Sequence, residues 1–289
     1  MTPLLAVPNV SQGRDQSVVD SIAHGFAGQL LDIHSDPDHN RTVFTVAGEP
    51  GLLAHTVLAG AAQALAQIDL RRHDGLHPRV GALDVAPIVY LSDGDRGRAS
   101  AEALVLGDML GQELKLPVFL YGALGGGRAR GELRGGGLPG LAERMRTKQV
   151  SPDFGPASLH PSGGAVLVAA RPPLVAFNVE LARPAGAAEA RAIAALIREG
   201  GPEGLESVKA IGLWLERRRV AQVSMNIEDH RRTPLRTVVE AIARHATPAA
   251  AELVGLAPAA ALEGFPEWLA LANRRSIEAA LGSARAGRD

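Results

Sequence analysis

Cysteine is absent from the 289 residues, which excludes disulfides, thiolate metal sites and cysteine nucleophiles together. Aromatic side chains make up only 3%, so Ala, Val and Leu must fill the core, and recognition by aromatic stacking platforms is disfavoured. Neither sign of charge is in excess: 30 basic and 31 acidic residues leave a net charge of −1, without the basic stripe of a nucleic-acid binder. No segment offers the ~20 continuous apolar residues that a membrane helix requires. The opening Met1-Thr2-Pro3-Leu4-Leu5-Ala6-Val7-Pro8 lacks a basic stretch, and its apolar run is too short for a signal peptide. What remains is ordinary: 46% hydrophobic and 21% charged residues, with 33 Gly and 19 Pro spread along the chain as turns rather than as disorder. A chain of this length can bury roughly three quarters of its unfolded surface. The expectation is a cytoplasmic α/β protein with neither a membrane nor a nucleic-acid partner.

Hydrophobic periodicity alternates between strand and helix along the whole chain. Leu4–Val7, Leu30–Ile33, Thr42–Val46, Val85–Leu91 and Leu116–Tyr121 read as strands. Between them lie a helix capped by Asp15 with Val18, Val19, Ile22 and Phe26 on one face, and a strong helix carrying Leu53, Val57, Leu58, Ala61, Leu65 and Ile68. A third covers Ala99–Leu114, with Leu104, Met109 and Leu110 expected to face inward. Gly125–Gly140, rich in Gly and Arg, reads as a mobile loop. The second half repeats the alternation: strands Val166–Ala170 and Leu174–Val179, helix Ala187–Ile197, strands Val208–Leu215 and Val220–Ile227, helix Pro234–His245, a short strand near Glu252–Leu256, and a frayed tail from Gly282. A faint internal echo joins Asn9-Val10 to Asn178-Val179. The pattern predicts two α/β subdomains, residues 1–172 and 173–289, and ligands favour such junctions.

Polar side chains are dense in four places. His34-Ser35-Asp36-Pro37-Asp38-His39-Asn40-Arg41 invites a metal reading, but no third element supplies ligands at a clear spacing. A turn whose Asp and Asn bond their own backbone is the better account, and no metal is expected. In Arg72–Asp84, His77 precedes Pro78 and is biased away from the helical region. Beside Arg79 and Asp84 it could shuttle protons near neutral pH, or simply bond a backbone carbonyl. The third place is Pro152-Asp153-Phe154-Gly155-Pro156 with Pro161-Ser162-Gly163-Gly164, where glycines allow a flat ligand close to the backbone or merely shape a connection. On the strand Val220–Ile227, Gln222, Ser224 and Asn226 share one face, which suits a polar ligand or an exposed sheet surface equally.

Taken in order, Val7-Pro8-Asn9-Val10-Ser11-Gln12-Gly13-Arg14, the Asp-His-Asn-Arg-Thr-Val-Phe-Thr run from Asp38, His77–Val85, Pro152–Pro156, Ala176-Phe177-Asn178, Lys209-Ala210-Ile211-Gly212, Ala221-Gln222-Val223-Ser224 and Leu253-Val254-Gly255-Leu256 resemble the formiminotransferase family. The blocks are collinear from about Leu5 to Leu262. The resemblance implies two α/β subdomains, each a sheet with helices packed on it, and a ligand tunnel between them. It implies transfer of a formimino group from N-formimino-L-glutamate to N5 of tetrahydrofolate, the co-substrate, with His77 as catalytic acid/base. Folate would lie along Asp153, Phe154, Gly155, Pro156, Gly163 and Gly164. Asn9, Asp38, His39, Asn40, Arg41, Arg79 and Asp84 are the other substrate-binding candidates of the first half, and Asn178, Gln222, Ser224 and Asn226 those of the second. Arg41 and Arg79 are suggested as carboxylate grips, and Asp38 or Asp84 as partners for a cationic formamidine. Small molecules are the expected partners, and a homodimer is allowed.

Some features depart from the family. The chain stops at Asp289, so the cyclodeaminase activity of the animal bifunctional enzymes is not expected. Met225 stands where a small hydroxylated residue belongs, and Gly125–Gly137 has its own composition. Formyl transfer between 5-formyltetrahydrofolate and glutamate is the nearest alternative, and the sequence alone does not separate it from formimino transfer; a silent folate-binding protein is the second, and a metal-dependent hydrolase built on His34–His39 the weakest.

Overall fold

The computed structural model describes residues 3–26, 29–76 and 78–286; His77 therefore lies outside the described residues. The chain divides into two compact units, Met1–Pro172 and Pro173–Asp289.

In the first unit the elements run β1 (Leu4–Ala6), β2 (Asn9–Val10), α1 (Gln16–Gly25), β3 (Gln29–Asp36), β4 (Arg41–Gly48), α2 (Leu53–Gln67), β5 (Leu83–Val89), α3 (Arg96–Glu113), β6 (Val118–Leu120), α4 (Arg130–Arg134), α5 (Gly137–Arg146) and β7 (Val166–Arg171). They build one seven-stranded sheet. β1 and β2 act as a single strand interrupted at Val7-Pro8, since each pairs antiparallel with both β4 and β5. Pro8 has no N–H to offer the ladder, yet its carbonyl accepts from Phe44 N and Val7 N donates to Pro87 O, both at 3.0 Å. β3 closes a hairpin on β4, while β5, β7 and β6 run parallel.

The two faces of the parallel part are covered differently. Ala86, Ile88, Val118, Leu120, Val166 and Val168 pack with the apolar faces of α1, α2 and α3. The alternate residues Val85, Phe119, Leu167 and Ala169, with Tyr121, pack with Leu133, Leu141 and Met145 of α4 and α5. A parallel sheet needs cover on both faces, and this requirement overrides local glycine content. Gly125–Gly140, read from sequence as a mobile loop, thus contains α4 and the start of α5. α3 is corrected as well: Leu104 is 40% exposed, and the inner face is Ala99, Ala103, Leu106, Gly107 and Leu110.

α1 is capped as its sequence predicts, Asp15 accepting from the backbone N–H of Ser17 and Val18. α2 has no cap of its own. The buried Glu102 of α3 supplies one, accepting from Gly51 N at 2.5 Å and Ala54 N at 2.7 Å.

The second unit contains β8 (Val175–Leu181), α6 (Ala187–Ile197), β9 (Val208–Leu215), β10 (Val220–Ile227), α7 (Leu235–Ala243), β11 (Pro248–Leu253), β12 (Leu271–Ala272) and α8 (Ile277–Ala286). Its five-stranded sheet has the order β12-β11-β8-β10-β9. α6 and α7 join a core with Phe177, Val179, Val223 and Met225, which leaves the other sheet face polar. The tail expected to fray from Gly282 continues α8 to Ala286. Each unit is thus a sheet with helices packed on it. No helix among the described residues is long and apolar enough to cross a membrane.

Candidate active site

The hairpin β3–β4 inverts the usual alternation of a strand. Asp32, His34 and Asp36 are buried at 6%, 9% and 8% exposure, while Ile33 between them is 39% exposed. The stretch His34–Arg41, read from sequence as one polar loop, is therefore mostly strand: only residues 37–40 form the turn. Antiparallel pairing sets Asp36 opposite Arg41, His34 opposite Val43 and Asp32 opposite Thr45. Asn9 lies opposite both Val43 and Val85. One sheet face is thus polar at β3–β4 and passes through Asn9 into the apolar patch under α4 and α5. A local rule broken at a buried position is where function is expected.

Asp36 organises the turn. Its Oδ1 accepts from Asp38 N at 2.8 Å and His39 N at 3.0 Å, and its Oδ2 accepts from His39 Nδ1 at 2.5 Å. Burial alone would raise its pKa, but the hydrogen bonds from the His39 ring and backbone and from Asp38 N hold the carboxyl well below the usual range. Burial pushes the His34 imidazole toward its neutral form against the pull of Asp32, with Arg41 adding to the effect. Burial and then the neighbouring Arg134 push the Arg41 guanidinium down to about 10, against Asp36 and Asp84. It remains charged at neutral pH.

Asn40, the fourth residue of the turn, has φ of 50° and ties three segments together. Its Oδ1 accepts from Gly13 N at 3.0 Å, and its Nδ2 donates to Asp74 O at 2.7 Å. Around it, Arg14 Nε donates to Pro37 O, Thr42 Oγ1 to Gln12 O, and His73 Nε2 to Asn40 O. Glycine is required at two of these contacts: a Cβ on Gly13 would lie 2.5 Å from Asp36 O, and one on Gly75 2.6 Å from His39 O. The segments Gln12–Arg14, Asp36–Arg41 and His73–Gly75 converge here, although nothing in their sequence spacing requires it.

The remaining candidates of this unit divide. Ala82 N donates to Gly163 O and Ala165 N to Val80 O, so Gly163 and Gly164 lie against the segment that leads out of His77. Asp84 accepts from Val80 N at 2.7 Å and from Arg134. Arg79 donates to Gly75 O and His73 O. In Asp153–Pro156, Asp153 accepts from Leu120 N and Arg128, and Phe154 packs against Gly107 of α3. His160, not singled out from the sequence, accepts from Gly163 N through Nδ1 at 2.9 Å. Its other ring nitrogen therefore carries the proton of the neutral imidazole. Among the described residues no group of three or more His, Asp or Glu is arranged to hold a metal ion.

In the second unit, cross-strand pairing sets Ser224 opposite Asn178 and Asn178 opposite Glu252, with Gln222 opposite Glu180. Asn178, Gln222, Ser224 and Asn226 share one face, as the period-two pattern predicts. Gln222 is fully buried, and neither atom of its amide has a hydrogen-bond partner. Glu252 joins this face unannounced, because the short strand is Pro248–Leu253 rather than one near Glu252–Leu256.

Residues 4–171 match the N-terminal subdomain of the formiminotransferase domain, and residues 176–278 match the formiminotransferase domain model that follows it. Among known relatives, the formimidoyltransferase-cyclodeaminase of Rattus norvegicus is 38% identical over 273 residues, covering 89% of this chain and 50% of that protein. The chain thus spans about half the length of such bifunctional relatives. The glutamate formimidoyltransferase of Streptococcus pyogenes serotype M1 is 36% identical, with 91% of each chain covered. That of Thermoplasma acidophilum is 34% identical, covering 91% of this chain and 90% of its own. With both family patterns matched in order and one in each compact unit, the chain belongs to the formiminotransferase family.

Proposed function

We propose that this chain transfers the formimino group of N-formimino-L-glutamate to N5 of tetrahydrofolate, giving 5-formiminotetrahydrofolate and L-glutamate. The observation that carries this is the match, over about nine tenths of both chains, to proteins named glutamate formimidoyltransferase.

N5 of the folate attacks the formimino carbon, and the tetrahedral intermediate expels the glutamate nitrogen. The N5 proton must leave, and the departing nitrogen must gain one. We assign both transfers to His77, whose contribution would be ~10²–10⁴-fold. No protein nucleophile is needed, in keeping with a chain without cysteine. The segment that follows His77 in the chain is anchored by Asp84 and by the Gly163–Ala165 pairing. The buried polar strand face of Asp32, His34 and Asp36, with the half-buried Arg41 opposite Asp36, supports a polar substrate in this unit, and holding two substrates in register supplies much of the rate. We place the protein in the cytoplasm and in histidine breakdown, acting on small molecules, with a homodimer allowed.

Incubation with tetrahydrofolate and N-formimino-L-glutamate, and separately with 5-formyltetrahydrofolate and glutamate, tests the assignment. Formimino transfer to N5 is expected in the first. Transfer only in the second would replace it with a formyltransferase, and transfer in neither would leave a folate-binding protein.

A further inference from the structure

Arg79 braces its own loop through the carbonyls of Gly75 and His73, and a different pair of arginines lies over the polar sheet face. Arg130 and Arg134 are four residues apart on α4, hence on one side of it. Leu133 of the same helix packs in one cluster with Val85, Phe119 and Tyr121. Val85 is opposite Asn9, Asn9 is opposite Val43, and Val43 is next but one to Arg41 on the same face of β4. α4 therefore covers the sheet face that carries Arg41. Consistently, Arg134 and Arg130 both contribute to lowering the Arg41 pKa.

Two hydrogen-bond donors are buried here without acceptors. The Arg134 Nε–H is one, although the same guanidinium pairs with Asp84 through its Nη2. The other is the hydroxyl of Tyr121, a residue only 6% exposed. The Arg130 guanidinium sits 5.6 Å over the Tyr121 ring. A buried donor left without an acceptor is destabilising, so a fold that keeps two beside three guanidinium groups is suited to an acceptor-rich anion. Asp84 does not supply it, being engaged with Val80 N and Arg134 Nη2. A planar carboxylate matches the guanidinium fork and the phenol O–H together.

We propose that Arg130, Arg134 and Tyr121, with Arg41, form the receptor for a glutamyl carboxylate. The proposal rests on the formimino-transfer assignment, since both the donor and tetrahydrofolate carry that group.

Arg130→Gln, Arg134→Lys and Tyr121→Phe test it by titration calorimetry with L-glutamate, tetrahydrofolate and tetrahydropteroate, which lacks the glutamyl part. Arg134→Lys keeps a charge beside the buried Asp84, so the fold is less at risk than with a neutral residue. Arg130→Gln and Arg134→Lys should weaken one of two ligands by roughly tenfold or more. Loss for L-glutamate places the donor's carboxylate here. Loss for tetrahydrofolate with tetrahydropteroate unchanged places the folate tail here. Tyr121→Phe should bind the same ligand more weakly yet melt no lower than the parent, because it removes an unpaired buried hydroxyl. Unchanged affinities in folded variants, an equal loss for tetrahydropteroate, or a destabilised Tyr121→Phe would overturn the receptor. A parent that binds L-glutamate through these arginines but transfers no formimino group would overturn the transfer assignment alone. A parent that binds neither glutamate nor tetrahydrofolate would overturn both.

Discussion

Replacing Asp36 with Asn removes one negative charge from the centre of the β3–β4 turn and leaves its shape. The Asn oxygen can still accept from Asp38 N and His39 N, as Asp36 Oδ1 does. The new amide NH₂ faces His39 Nδ1, which now donates to Oδ2 at 2.5 Å, so donor meets donor unless the imidazole changes tautomer. One charge-assisted hydrogen bond is lost, about 1.5–3 kcal/mol, and two others weaken to neutral strength. The variant should therefore be about 3 kcal/mol less stable at pH 7. The folded pKa of Asp36 lies below its unfolded value. Its stabilisation is thus complete above the ordinary carboxylate range and lost as pH falls below about 4. Urea unfolding of parent and variant from pH 7 down to pH 3 should show a gap that is constant at first and begins to narrow below about pH 4, by ~1.4 kcal/mol per pH unit. A gap unchanged across that range, or none at pH 7, would refute the account of the turn.

Four further outcomes are expected. His77→Asn should lower turnover by on the order of 10²-fold or more with folate affinity within a few-fold of the parent; steady-state kinetics with calorimetry decides, and surviving turnover would move the acid/base role elsewhere, with His39 next to be tried. Dialysis against a chelator should leave activity intact, whereas loss restored by one divalent ion would contradict it. Glu102→Ala strips the acceptors from Gly51 N and Ala54 N and should cost about 2–4 kcal/mol in chemical unfolding; a loss under ~0.5 kcal/mol, the size of an ordinary surface change, would show that the cap is dispensable. Gly60→Ala would put a methyl 2.1 Å from the Phe26 ring, and overpacking of about 1–3 kcal/mol should outweigh the helix-propensity gain of ~1 kcal/mol; a higher melting temperature would show that the ring gives way.

Regular periodicity was the most legible part of the sequence. Ala187–Ile197, Val208–Leu215 and Val220–Ile227 form α6, β9 and β10 with those boundaries, because their apolar residues recur at helix or strand spacing. Leu104 misled because hydrophobicity ranks it above Ala99, Ala103 and Gly107, while the face α3 turns to the core is the one with those small residues. The helices α4 and α5 were hidden by their glycines, and the apolar sheet face that demands them is visible only once the strand order is known. The site was legible in part for the same reason. The Gln222-Ser224-Asn226 face follows from a period of two. The junction at Asn40 does not, because Gly13 and Asp74 are 27 and 34 residues away from it. Arg130 and Arg134 carried a signal, their four-residue spacing, but it was masked by the surrounding glycines.

The junction at Asn40 has a consequence for how this region breathes. Turns normally open one at a time, at free energies well below that of global unfolding. Here a single carboxamide holds the amide of Gly13 with one end and the carbonyl of Asp74 with the other, and Arg14 bonds both Pro37 O and Asp74. Releasing any one of the three segments removes partners from the other two, so they should exchange their amide hydrogens as one cooperative block. The Gly13 amide, bonded to a side chain rather than to a neighbouring strand, reports that opening directly. Its protection from deuterium uptake measures the free energy needed to open the whole block.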